Sequence, residues 1–173
     1  MQDAAPPEFS RLAALDRATE TPQSWSIEAN QDERAALARR FGLLSLGRLV
    51  ATLTWRRQAG DLVRLDGVLE ASLAQPCVVT LDPVPAELTE SFTLRFMRGV
   101  AAEDREVVID PEADDPPEPL GDGPVDVGEI VAQQLALALD PYPRAAGVDL
   151  GTVLPESEPE SPFGVLRKLR PRG

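Results

Sequence analysis

Two hydrophobic periods, one of two residues and one near 3.6, set out most of the elements of this chain. The two-residue period is strongest between positions 46 and 73. Gly47, Leu49, Ala51, Leu53 and Trp55 fall on one side of an extended chain, and Arg48, Thr52, Thr54 and Arg56 on the other; only Val50 breaks the rule. Ala59-Gly60-Asp61 predicts a hairpin turn. Beyond it Val63, Leu65, Gly67, Leu69, Ala71 and Leu73 oppose Arg64, Asp66, Glu70 and Ser72. Two such strands predict an antiparallel pair with one buried and one wet face. Residues 87–98 repeat the pattern, with Leu88, Phe92, Leu94 and Phe96 inward and Thr89, Ser91, Thr93 and Arg95 outward. Runs at 9–15, 24–29, 77–81 and 105–109 predict shorter strands.

The helical period appears twice. Asn30 is a preferred N-cap, and Glu33 suits a capping box. Asp32 and Glu33 in the first turn, with Arg39 and Arg40 in the last, match the helix dipole. Leu37, Phe41 and Leu44 share a face, and Gly42 is the stop. Asp126, with Glu129 three residues on, predicts a second capped helix. Its apolar face is Val127, Ile130, Val131, Leu135, Ala138 and Leu139, and Pro141-Tyr142-Pro143 ends it. The sum is an α+β fold, a mostly antiparallel curved sheet or partly open β-barrel with two helices.

The remainder is read as irregular. Residues 1–8 form a flexible lead-in, 9–154 a single domain, and 155–173 an extended tail. Within the domain, residues 110–124 (DPEADDPPEPLGDGP) hold one large apolar residue, Leu120, and predict a mobile acidic loop. In the tail, Phe163, Leu166 and Leu169 lie on one face of a short amphipathic segment, opposite Arg167 and Arg170.

Composition narrows the chemistry. The 173 residues include 17 basic and 29 acidic side chains, for a net charge of −12, and no histidine. Without histidine the commonest general base and the Ser-His and Cys-His pairs are gone. A single cysteine excludes an intramolecular disulfide and the usual Cys/His zinc sites. No apolar run approaches the roughly 20 residues of a membrane span. The start, MQDAAPPEF, lacks the basic and apolar regions of a secretory signal. These features predict an acidic, cytoplasmic protein that is not an ordinary enzyme. Arginine outnumbers lysine 16 to 1, which reads as coding bias, because clustering and not count marks phosphate binding.

The charge is uneven. Residues 106–143 contain ten acids and no Lys or Arg, whereas the last seven hold Arg167, Lys168, Arg170 and Arg172 and no acid. Those four cations are one candidate RNA or partner contact, with Phe163 and Leu166 as anchors. Arg48, Arg56 and Arg64, outward beside Thr52 and Thr54, are a second candidate or simply the solvated side of a strand. The few aromatics fall mostly inward, so no base-stacking platform is expected. Cys77 has no histidine to activate it and reads as a small buried apolar residue. The acids of 110–126 lack calcium-loop spacing, and Gly121-Asp122-Gly123-Pro124 lacks the lysine of a phosphate loop. No cofactor, metal or small-molecule substrate is expected.

Four segments together resemble a known family. They are Glu33 to Leu43 (ERAALARRFGL), Gly67 to Leu81 (GVLEASLAQPCVVTL), the pair DVGEIV from Asp126 and LALDPYPR from Leu137, and SPFGVLRKL from Ser161. In this order they look like the bacterial YceD family, the large ribosomal RNA subunit accumulation proteins. The resemblance implies a non-enzymatic role in accumulation or processing of 23S ribosomal RNA, with Gln75, Cys77, Asp126, Glu129 and Pro143 at family-motif positions. Many relatives carry Cys-x-x-Cys where this chain has Cys77-Val78-Val79-Thr80, so a metal or redox role suggested for them does not transfer. The expected partner is ribosomal RNA or a basic large-subunit ribosomal protein, to which an acidic loop is complementary; the alternative is an adaptor that binds an RNA-processing enzyme.

Overall fold

The structure, a computed structural model, describes residues 7–98 and 116–148. Four long stretches make its centre: β2 (Gln23–Glu28), β3 (Ser45–Arg57), β4 (Leu62–Pro76) and β5 (Pro83–Arg98) run as an antiparallel meander. A short β6 (Glu118–Leu120) adds parallel to the last three residues of β5, giving the order β2-β3-β4-β5-β6. The sheet stays open and does not close into a barrel. Beside it, β1 (Leu12–Ala13) and β7 (Val125–Asp126) pair antiparallel as a two-stranded ribbon. Helix α1 (Gln31–Phe41) lies along β3, and α2 (Val127–Ala138) lies against β4 and β5.

Alternation decides which face is covered. Leu49, Leu53, Leu65, Leu69, Val63 and Phe96 are buried under the helices with Leu37, Val131 and Leu135. Each buried leucine contributes about 1.5–3 kcal/mol of apolar transfer. The opposite face, with Thr52, Val68, Glu70, Ser91 and Thr93 exposed, carries no helix among the described residues. The caps read from the sequence are present. Asn30 Oδ1 accepts from the Glu33 amide at 3.0 Å while Glu33 Oε2 accepts from the Asn30 amide at 2.7 Å, and Gly42 closes α1 in the left-handed region at φ 65°. Asp126 caps α2, but Glu129 does not complete a capping box; its carboxylate is turned to Arg40 instead.

Several expectations are corrected. The run 77–81 is a turn, not a strand: the Leu81 amide bonds back to the Cys77 carbonyl at 2.9 Å, and Leu81 sits at φ 65°. Both are incompatible with a ladder, so β4 simply continues to Pro76 and β5 starts at Pro83. The 9–15 run contracts to Leu12–Ala13 and a 3-10 turn at Leu15–Arg17, because Phe9 and Leu15 are both drawn into the core. Gly47 is not inward: a bulge between Leu46 and Arg48 turns Leu46 in and leaves Gly47 out. Leu44 is exposed, and Ala38 and Leu43 are buried where it was placed. Part of the acidic stretch is structured, since β6 falls within it and Leu120 is buried. The 105–109 run, residues 110–115 and the 155–173 tail lie outside the described residues.

Gly67 shows how tightly the sheet is packed. It pairs with Phe92, and a Cβ on Gly67 would lie 2.6 and 2.7 Å from two carbons of the Phe92 ring. Gly67→Ala is expected to cost about 1–3 kcal/mol in urea denaturation. In a Phe92→Ala background that cost should largely vanish, because the clash is with a side chain; an equal cost in both backgrounds would refute this account.

Candidate interaction surface

The bare face is an ordered lattice set by the strand register. Its first row is Arg56 on β3, Arg64 on β4 and Arg95 on β5, each directly opposite the next. The second is Ser24, Thr54, Asp66 and Thr93; the third is Ser26, Thr52, Val68 and Ser91. Ser24 and Thr54 hydroxyls are hydrogen-bonded at 2.8 Å. Arg64 Nε reaches both Asp66 oxygens at 2.9 Å, and Thr93 donates to Asp66 Oδ1 at 2.7 Å. The Arg64 guanidinium holds the Asp66 carboxyl below its usual range, against the effect of burial, with help from Thr93 and from the charge of Arg56. Across the three rows three arginines meet one aspartate. This is a local excess of positive charge in a chain of net charge −12.

The structure therefore brings Arg56 and Arg64 together but separates Arg48. Arg48 lies eight residues away along β3, roughly 26 Å at 3.3 Å per residue, and pairs with Glu70 at 2.6 Å. Arg95 completes the row and was not singled out from sequence. Its outward phase was legible, but its alignment with Arg56 and Arg64 depends on the register of two strand pairs. Phe163, Leu166, Arg167, Lys168, Arg170 and Arg172 lie outside the described residues.

The motif positions are joints of the fold. Gln75 Nε2 donates to the Asp140 carbonyl at 2.9 Å, and the Val78 amide donates to the Pro143 carbonyl at 2.9 Å. Cys77 Sγ accepts the Ala145 amide at 3.5 Å, so the β4–β5 turn is tied to the chain beyond α2. Asp126 accepts the amides of Arg11 (2.8 Å), Gly128 (3.1 Å) and Glu129 (3.2 Å). Glu129 and Arg40 pair through two bonds of 2.7 and 2.8 Å, and Arg40 also reaches Glu8 at 3.0 Å. Arg11 and Glu33 pair likewise at 2.8 and 2.9 Å.

Cys77 is buried, as expected, but it is more than an apolar filler. The Thr80 hydroxyl, then the amides of Ala145, Thr80 and Val79, stabilise its thiolate and bring the thiol down to about 6. A depressed folded pKa contributes stability that is absent at low pH. That stability grows above pH 6 and is complete above the ordinary thiol value of about 8.5. Cys77→Ala should therefore lower Tm, with a deficit that widens from pH 6 to about 8.5 while cellular function is kept. A pH-independent deficit would refute the hydrogen-bonded thiolate.

Among the described residues no group of three or more His, Cys, Asp or Glu lies close enough to hold a metal ion, and no helix is long and apolar enough to cross a membrane. An open α+β sheet with one bare polar face and no metal cluster among the described residues defines a scaffold of the binding kind. The model of one protein family, described as large ribosomal RNA subunit accumulation protein YceD, matches residues 65–170, and the chain belongs to that family. The match takes in three of the four resembling segments; 33–43 lies before it. Neither the curated proteins nor the solved structures returned a match.

Proposed function

We propose that this protein is a non-enzymatic binding factor that supports accumulation of 23S ribosomal RNA during assembly of the large subunit in the cytoplasm. The family's name ties its members to accumulation of that RNA subunit. The observation that carries the binding reading is the division of the sheet: one face is filled by two helices, and the other offers arginine and hydroxyl side chains to solvent. A surface of this kind positions a partner and performs no bond chemistry. The partner is ribosomal RNA or a large-subunit ribosomal protein.

Depletion of the protein should lower the ratio of large- to small-subunit ribosomal RNA. Capture of the tagged protein from lysate, with and without ribonuclease, separates the partners. Ribosomal proteins lost on digestion mean tethering through RNA; those retained mean direct contact; retention of an RNA-processing enzyme alone favours an adaptor. An unchanged ratio on depletion would overturn the proposal.

A further inference from the structure

The search reaches three candidates. The cleft of about 340 Å³ lined by Asp16, Arg17, Arg98, Gly121 and Asp122 contains the Arg98 guanidinium, whose Nε and Nη2 are buried without a hydrogen-bond partner. Its two arginines are balanced there by two aspartates, so it selects no sign of ligand. Cys77 is a lone thiol whose contacts are all explained by the turn it holds. The third candidate, the Arg56–Arg64–Arg95 row, has a cost in the free protein and a chemistry that accounts for it.

Like charges directly opposite across strands destabilise a sheet. Here three arginines stand abreast on three adjacent strands, and one carboxylate, Asp66, is hydrogen-bonded to the middle one. The two rows beside them are mainly hydroxyls: Ser24, Thr54 and Thr93, then Ser26, Thr52 and Ser91. Guanidinium and hydroxyl groups are the side chains that contact phosphate and sugar. Strands spaced about 4.8 Å apart give the arginines a pitch that follows a phosphate backbone. The three rows contain no aromatic residue, so nothing on them stacks on unpaired bases. That combination suits a paired RNA helix, which is recognised by shape, phosphate and 2′-hydroxyl.

We propose that the end of the bare sheet face formed by Arg56, Arg64, Arg95, Thr54 and Thr93 docks the sugar-phosphate backbone of double-helical RNA without reading its sequence. This names the partner of the surface argued above and rests on that reading. Acidic surface elsewhere confines the RNA to this end by repulsion. Arg48, paired with Glu70 at the far end, takes no part.

The test measures binding of the full chain to a fluorescent RNA hairpin of about 16 base pairs, the span of a double-stranded RNA domain, by anisotropy across salt concentrations. The native protein should show a log–log salt slope near −2 to −3, about −0.7 to −0.9 for each of three cations. Arg56→Gln/Arg95→Gln should weaken binding about tenfold at low salt and flatten the slope by about 2, with an unchanged melt; Arg48→Gln should change neither. A hairpin of different sequence should bind equally. The proposal is overturned if the native protein does not bind, if the double variant binds with the native slope, or if only removal of 163–173 abolishes binding. It is equally overturned if the arginines are needed for a ribosomal protein and not for RNA. Introducing the double variant into depleted cells separates the two readings. Weakened RNA binding with a normal ribosomal RNA ratio leaves this site standing and sinks its role in accumulation.

Discussion

Gly128→Ala should cost at least about 3 kcal/mol, against a total stability of about 5–15 kcal/mol for a domain of this kind. On helix propensity alone the change gains about 1 kcal/mol, so the sign of the result is decisive. Gly128 is buried in the first turn of α2, and the backbone of the N-terminal segment crosses directly over it. A Cβ there would be driven into the Phe9 carbonyl oxygen and would lie 2.9 Å from the Arg11 nitrogen. Neither atom is free to yield. The Arg11 carbonyl accepts the Val127 amide at 2.9 Å, and the Arg11 amide donates to Asp126 at 2.8 Å. Relief requires lifting the segment off the helix, which uncovers Phe9 and breaks both bonds. Thermal and urea melts check this; an alanine variant as stable as the native protein would show that the close approach is absent.

Removing the Asp126 carboxylate is expected to cost about 2–3 kcal/mol as Asp126→Ala. A lost N-cap accounts for about 0.5–2 of that, and the stranded Arg11 amide for the rest. Asp126→Asn, which still caps, should cost about 1 kcal/mol less. The same carboxylate makes the fold acid-labile. Burial pushes it up, but the Ser10 hydroxyl and the amides of Arg11, Glu129 and Gly128 outweigh this and hold it below its usual range. Glu33 beside Arg11 and Glu129 beside Arg40 are lowered as well. Groups with depressed folded pKa values stabilise the fold fully above their unfolded values, about 4, and lose that contribution as the pH falls through their folded ones. Stability should be flat above about pH 5 and fall steeply below about pH 4. Asp126→Asn should flatten that acid limb, and an unchanged limb would contradict the assignment.

The sequence carried the local rules well. Asn30, Glu33 and Gly42 bound α1 as read, and the alternation of β3, β4 and β5 placed Leu49, Leu53, Leu65 and Leu69 in the core. Failures arose where a distant segment competed with a local pattern. At 77–81 a strand-like composition lost to a turn organised around a sulfur whose donor, Ala145, is 68 residues away. Glu129 fitted a capping box until Arg40, 89 residues away, offered a stronger partner. Arg95 was visible as an outward residue, but the row it completes exists only once β4 and β5 are in register. Candidate surfaces made across strands are of this kind: alternation gives each side chain its face, and pairing alone gives it neighbours.

The union of Arg11 with Asp126, 115 residues apart, has a consequence for manufacture. Chains leave the ribosome at roughly 5–20 residues per second, so the first segment waits roughly 6–23 seconds for the helix it must lie upon. In that interval β2 to β5 can pair as they emerge, since each neighbours the next in sequence. Phe9 and Leu15, both buried at completion, have no such early shelter. The newborn N-terminus is thus an unfinished hem that only the last third of the polypeptide can stitch down, and a transcript cut short before codon 126 would leave it open.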